Sequence, residues 1–283
     1  MKKHQIIKKL LLYIISIAIV STVFIVVFTE KRSETKYKAR DYDEILESGV
    51  INAVTEYNAV SFFSDGDSIS GFDYELLNEF ARAKGIKANI VPEMSFEKRL
   101  NDVSRGKYDM IAISTPTTAN LKDSLLFTHT LLIGKQILVQ RKEDKTNKSD
   151  SAYVHINSQL DLAGKTIHLI KDSPAVMRIK NLMAEIADTI YIKEISEYGP
   201  EQLLAMVSGG DIDYAVCDEN IAKVYISDFP NLDIDTDISF NLFYSWGVSK
   251  RAPKLLDSLN VWLDSYIKTK EYKKLYNKYF NKK

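Results

Sequence analysis

The sequence predicts an α/β protein of two doubly wound lobes facing one cleft, preceded by one N-terminal transmembrane helix. Three observations predict it. Gly106-Lys107-Tyr108-Asp109-Met110-Ile111-Ala112 is echoed by Gly209-Gly210-Asp211-Ile212-Asp213-Tyr214-Ala215-Val216, each a glycine turn, an acid and an apolar run that ends at a polar cluster. Short apolar runs bounded by turn residues read as buried parallel strands. Strand and helix patterns alternate in two successive copies, the doubly wound signature. Finally, Leu10 to Phe28 is apolar except for Ser16, Ser21 and Thr22. Ligands of open α/β sheets sit beyond the carboxyl ends of the strands. Ser114-Thr115-Pro116-Thr117-Thr118 and Cys217-Asp218-Glu219-Asn220 are therefore expected to face one cleft.

In the first copy, Tyr42 to Leu46 reads as a short helix ending at Gly49, and Val50 to Val54 as the first strand. Glu56 to Ser61 is the loop after it, Ser64 to Asp67 a turn. A helix follows Gly71-Phe72-Asp73 and runs to Lys84, with Leu76, Leu77, Phe80 and Ala81 on one face and Gly85 closing it. Lys87 to Val91 is a strand. Ser95 to Ser104 is a helix with Phe96, Leu100 and Val103 inward. The second copy begins after Gln136 to Gln140. Arg141 to Asp150 is a surface loop, Thr166 to Ile170 a strand, and Asp172-Ser173-Pro174 a helix start. Ile190 to Ile192 is a strand, Pro200 to Ser208 a helix, and Tyr214 to Val216 the strand that carries the second polar cluster. Pro253 to Phe280 is amphipathic at helical spacing, its aromatic stripe read as a face packed on a core.

A chain of 283 residues can bury one large core or two medium ones. Lys plus Arg and Asp plus Glu both number 38, so no net field draws nucleic acid or an anionic surface. Cys217 is the only cysteine, which excludes an internal disulfide and a Cys-based zinc site. His4, His129, His155 and His168 are scattered without ligand spacing. No metal or cofactor is expected.

The apolar run at the N-terminus decides between a cleaved signal and an anchor. Its nineteen residues at helical rise reach about 28 Å, near the hydrocarbon thickness. It ends Val26-Val27-Phe28-Thr29-Glu30, without the small residues of a cleavage site and with no cysteine for a lipid. The reading is an uncleaved signal-anchor. Lysines before it compete with Lys31, Arg32, Lys36, Lys38 and Arg40 after it, so the positive-inside rule leaves its orientation open. Residues 30–41 suit a juxtamembrane linker.

Gly71-Phe72-Asp73-Tyr74-Glu75-Leu76, Gly106 to Ala112, Leu126-Phe127-Thr128, Asp161-Leu162-Ala163-Gly164-Lys165 and the aromatic-rich C-terminus resemble the bacterial extracellular solute-binding proteins of family 3, the polar amino-acid type. The likeness covers residues 42 to 280. Gln136 to Lys142, Ala205-Met206-Val207 and Asp218 to Ala222 look most like one branch, the non-catalytic N-terminal module of membrane-bound lytic murein transglycosylase F. The resemblance implies a periplasmic-binding-protein-like type II fold, with 42–138 and 236–283 as lobe 1 and 139–235 as lobe 2. It places the soluble part outside a bacterial cell membrane. With the chain ending at Lys283, it implies the binding half of that branch without its enzyme half.

Such proteins close two lobes over a small ligand, typically an amino acid. Asp218 falls where the acid for the ammonium is expected, or else it caps a helix. Ser114, Thr117 and Thr118 are hydroxyls where carboxylate donors belong, or else turn residues. Asp172 and Ser173 offer a helix N-terminus to an anion, or only a cap. Glu56 and Tyr57 follow the first strand, where the family puts a ligand contact, or else Tyr57 packs. The family's carboxylate-clamping arginine should fall near Leu121, where the chain reads Ala119-Asn120-Leu121-Lys122-Asp123. Lys122 substitutes only by a one-residue shift and offers a point charge in place of a planar fork. Pro116 stands where a ligand-binding threonine is common. The expected function is ligand capture for transport or sensing, by a non-enzyme. Its expected partners are a small molecule and a membrane permease or cell-wall enzyme. A regulatory module in peptidoglycan turnover and a cyclohexadienyl dehydratase-like enzyme are the alternatives.

Overall fold

The computed structural model describes residues 37–143, 153–196 and 198–281, together with Ile17 and Ser21. The chain divides into two units, residues 1–37 and 38–283. In the first, the signal-anchor expected over Leu10 to Phe28 lies outside the described residues apart from Ile17 and Ser21, both helical and exposed. Among the described residues no helix is long and apolar enough to cross a membrane.

The second unit begins with Arg40 and Asp41 already held in place, at the end of the stretch expected to be linker. Arg40 donates from Nε and Nη2 to the buried carboxylate of Asp109, at 3.1 and 2.5 Å. Asp41 caps α1 (Tyr42–Ser48) in a capping box with Glu44. β1 (Val50–Thr55) leads through a hairpin, β2 (Phe63–Asp65) and β3 (Ser68–Ser70), to α2 (Phe72–Ala83). Then come β4 (Lys87–Pro92), α3 (Phe96–Arg105), β5 (Met110–Pro116), the single turn α4 (Ala119–Lys122), β6 (Leu125–Phe127) and β7 (Leu132–Gly134). After Lys135 the chain enters β8 (Gln136–Arg141), β9 (Thr166–Ile170), α5 (Pro174–Ile186), β10 (Tyr191–Ile195), α6 (Pro200–Gly209), β11 (Tyr214–Asp218), α7 (Glu219–Tyr225) and β12 (Leu232–Asp233). β13 (Leu242–Ser249), α8 (Pro253–Tyr266) and α9 (Lys270–Phe280) complete it.

These strands form two sheets. One has the order β4-β1-β5-β13-β6, with β7 also on β13, and the other β10-β9-β11-β8-β12. The chain passes between them twice, at Lys135 and between β12 and β13. The two Gly-Asp runs give β5 and β11, as expected, but neither strand is parallel on both sides. β5 is parallel to β1 and antiparallel to β13, and β11 is parallel to β9 and antiparallel to β8. The antiparallel neighbours come from distant chain segments, and an apolar run carries no signal of its partner's direction. The strand expected at Ile190 to Ile192 is Tyr191–Ile195.

The C-terminal stretch, expected as one helix, is two. Helix α8 ends at Tyr266, the chain turns extended at Thr269, and Thr269 accepts from Tyr272 N to start α9. Its aromatic residues pack as a core: Tyr272, Tyr276, Tyr279 and Phe280 surround Phe72 at 5.0–6.4 Å between centroids. Gly71 makes that packing possible. It has φ 143°, and a Cβ there would lie 2.3 Å from the Ser61 carbonyl oxygen.

Candidate functional site

The carboxyl ends of β1 and β5 in one sheet face those of β9 and β11 in the other across a cleft with about 820 Å³ of atom-free space, its open mouth included. Glu56, Ser114, Ser173 and Asp218 line it, one from each strand end. Among the described residues that line it, three carry charge: Glu56, Asp218 and Arg99.

Asp218 precedes α7 at the N-cap position, yet its side chain makes no capping bond. Oδ1 instead accepts from the Tyr244 hydroxyl of the opposite sheet at 2.7 Å. Burial pushes the carboxyl up to about 6, against hydrogen bonds from Tyr244 and Gln136, and the charge of Glu56 adds to the rise. Ser173 is the same case: it sits at the N-cap of α5, makes no capping bond, and its buried Oγ has no protein partner. At both positions capping is the competing reading, and neither side chain caps. Gln136 Oε1, Asn220 Nδ2 and Arg99 Nε also line the cleft as buried atoms without a partner. Each such atom costs about 1–3 kcal/mol if nothing satisfies it. Four in one cleft, drawn from both sides of it, mark a surface shaped for a polar ligand.

Ser114 is tied to the core. Its hydroxyl donates to Asp73 Oδ1 at 2.9 Å, and Trp246 Nε1 donates to the same oxygen at 2.7 Å. Asp73 is fully buried, and burial pushes its carboxyl up to about 6. With its proton committed inward, Ser114 turns lone pairs to the cleft.

Glu56 is 7% exposed and pairs with Arg99 of α3 through Oε2 at 2.7 Å. Asn58 Nδ2 donates to its other oxygen at 3.1 Å. Arg99 Nη1 donates to the carbonyls of Glu93 and Met94 at 2.5 and 3.0 Å. Sequence reasoning misses this arginine because the inward face of α3 reads as Phe96, Leu100 and Val103. The buried residues are Phe96, Arg99 and Val103, and the signal is a basic residue three positions after Phe96.

The remaining sequence candidates lie outside the lining. Tyr57 is half-exposed, its hydroxyl accepting from Ser64 N at 3.4 Å. Thr117 and Thr118 follow β5; Thr118 stands at the N-cap of α4 without a side-chain cap bond. Lys122 is exposed on α4 and Leu121 beside it is buried, so no cation reaches the cleft from there. Asp172 is exposed at φ 56°, its N–H donating to Glu194 at 2.8 Å. A second bond joins the two sides of the cleft: Ala59 N donates to the Tyr225 hydroxyl of α7 at 2.8 Å.

Known proteins share this architecture. Membrane-bound lytic murein transglycosylase F of Desulfosudis oleivorans is 26% identical over 237 residues, 84% of this chain and 50% of that protein. The enzyme of the same name from Pseudomonas fluorescens is 24% identical over 246 residues, 86% of this chain and 48% of that protein. The chain thus spans about half the length of the curated relatives it matches. Among solved structures, a mutant of ArgBP from T. maritima has a TM-score of 0.71 at 24% identity, covering 85% of this chain and 99% of that one. An ancestral amino acid-binding protein, a precursor of cyclohexadienyl dehydratase, has a TM-score of 0.70 at 22% identity, covering 84% and 98%. At that identity the likeness shows the fold, which is periplasmic-binding-protein-like. The model of the bacterial extracellular solute-binding proteins, family 3, matches residues 50–282, and the chain belongs to that family.

Proposed function

We propose that this protein is a membrane-tethered, extracytoplasmic binding protein that closes two lobes over a small ammonium-bearing ligand, for transport or sensing. Lobe 1 is built on the first sheet and lobe 2 on the second, so the crossings fall at Lys135, ahead of the expected 138/139 boundary, and between β12 and β13; the Leu10 to Phe28 run is the tether. The observation that carries the reading is the set of unpaired buried polar atoms at Arg99, Gln136, Ser173 and Asn220 in one cleft. Asp218 receives the ammonium: its carboxylate faces the cleft and does not cap α7. Solved relatives described as bound to arginine and to glutamine support this class of ligand. The test is ligand-dependent stabilisation, since a ligand that binds only the folded state raises its stability by mass action. Amino acids, their amides, small amines, muropeptides and small acids are screened for a rise in melting temperature. A screen in which none of these raised it would remove the reading.

The similarity to transglycosylase F favours a second reading, a regulatory module in peptidoglycan turnover. Capture of a wall hydrolase by the protein, with no small ligand bound, would select it. The dehydratase alternative rests on Asp218, Glu219 or Glu56 as a general acid, and an assay with prephenate and arogenate decides it.

A further inference from the structure

We propose that the cleft selects an amine with no free carboxylate beside it, a simple alkylamine or the amino end of a peptide, and that the Glu56–Arg99 pair excludes the zwitterion. This rests on the ammonium reading of Asp218 and narrows it. A free amino acid presents a carboxylate two bonds from its ammonium, so a cleft that holds it needs a cation or several free N–H and O–H donors close to the ammonium site. Among the described residues the lining supplies no free cation and few free side-chain donors.

The only guanidinium among the described lining residues is spent. Arg99 gives Nη2 to Glu56 and Nη1 to two backbone carbonyls, which leaves Nε as its one buried atom without a partner. Two carboxylates, Glu56 and Asp218, stand against that one cation, so the ionised lining is net negative. A ligand carboxylate would enter against that charge, whereas an ammonium is drawn by it.

The neutral donors are committed too. Ser114 Oγ donates to Asp73, and Thr115 Oγ1 donates to the Ile113 carbonyl at 3.1 Å. Helices α5 and α6 open onto the cleft with Pro174 and Pro200 at their first positions, which takes one amide N–H from each helix start. The Gly199 N–H before α6 donates to Gln202 Oε1 at 2.9 Å, and the Glu219 N–H opening α7 donates to the Lys135 carbonyl at 2.9 Å. Among the side chains of the lining, Ser173 Oγ and Asn220 Nδ2 remain, enough for an amide carbonyl but without the charge that a carboxylate needs. On the other side, Asp218, Gln136 Oε1 and the lone pairs of Ser114 are acceptors. The rest of the wall is largely apolar, including Val60, Phe96, Ile113, Leu132 and Ile221. An ammonium on a compact apolar body fits that distribution.

The test uses matched probes, L-leucine, L-leucinamide and isopentylamine, with the corresponding phenylalanine set, titrated calorimetrically into the whole protein. The amide and the amine are expected to bind at least about tenfold more tightly than the free acid, the scale of one uncompensated charge in a partly desolvated site. Glu56→Gln releases Arg99 and is expected to narrow that ratio by about tenfold or reverse it. Should that variant not fold, Arg99→Met is the converse, and the ratio widens. A free acid that binds as tightly as its amide, or a ratio unmoved in whichever variant folds, overturns the inference while leaving the ammonium reading intact. No binding by any of the six probes removes both.

Discussion

Replacing Asp73 by asparagine is expected to flatten the dependence of stability on pH. The carboxyl is fully buried; Trp246 Nε1 and Ser114 Oγ both donate to Oδ1, and the Ser61 side chain also helps to hold it down. Burial therefore wins over hydrogen bonding and lifts the group from 3.8 to about 6. The sign follows from where the proton goes. Between these values the folded protein holds a proton that the unfolded chain does not, so stability rises as pH falls through 6 towards 3.8 and is lowest above 6. Linkage over the full interval is worth about 3 kcal/mol, of which about 1.4 kcal/mol is recovered on going from pH 8 to pH 5. The replacing amide titrates nowhere in that range, so the variant should gain about 1.4 kcal/mol less than the wild type over the same change. Asp218 is raised as well, but it contributes to both proteins and cancels in the difference. Urea unfolding at pH 8 and pH 5, followed by circular dichroism, measures it. A constant offset from the new amide does not matter, because only the change with pH is compared. Equal gains in the two proteins, within about 0.5 kcal/mol, would refute the reasoning.

Four further outcomes follow from the same contacts. Asp218→Asn should abolish stabilisation by amines, and in the wild type amine binding should weaken about tenfold per pH unit once the pH falls well below 6, as calorimetry across a pH series would register. Tyr244→Phe removes a hydrogen bond that holds the Asp218 carboxyl down, so the midpoint of that binding profile should move to higher pH. Gly71→Ala places a methyl group against the Ser61 carbonyl at a φ that L-residues rarely adopt, and should cost about 3 kcal/mol or more in thermal unfolding. Arg40→Ala strands the buried Asp109 carboxylate with the Asn52 N–H as its remaining partner at 2.7 Å, a loss of about 3 kcal/mol readable by urea titration.

The features that the sequence makes legible are local. Helix α2 is readable from Leu76, Leu77 and Phe80 at helical spacing, and β5 and β11 from apolar runs behind glycine turns, because each pattern is complete within about a dozen residues. Direction and partner of strands are not readable, since β13 reaches β5, β6 and β7 only through tertiary contact. In the site, Glu56, Ser114, Ser173 and Asp218 answer to one rule, position at a strand's carboxyl end. Arg99 escapes that rule because it comes from a helix face, and its burial depends on Glu56, 43 residues earlier. Asp73 escapes it too: it looks like an ordinary acid in the first turn of a helix, and only the fold brings Trp246 over it.

The two Gly-Asp runs pose a last question, because their acids resemble each other in sequence and do work unlike that of Asp218. Asp109 precedes β5 and holds Arg40 together with the Asn52 amide. Asp213 precedes β11 and pairs with Arg141, whose Nη1 also donates to the Val207 and Ile212 carbonyls at 3.0 and 2.9 Å. Both sit at the amino ends of their strands, away from the cleft. They fasten the strand start to a neighbouring segment, so that the strand end, a few residues later, arrives in a fixed place. An extended strand advances about 3.3 Å per residue, and β11 therefore carries its end about 16 Å from Asp213 to Asp218. On the reading proposed above, a carboxylate that meets an ammonium and refuses a carboxylate needs that placement. The repeated acids are the footing, and the reading of the ligand belongs to the residues at the opposite end of each strand.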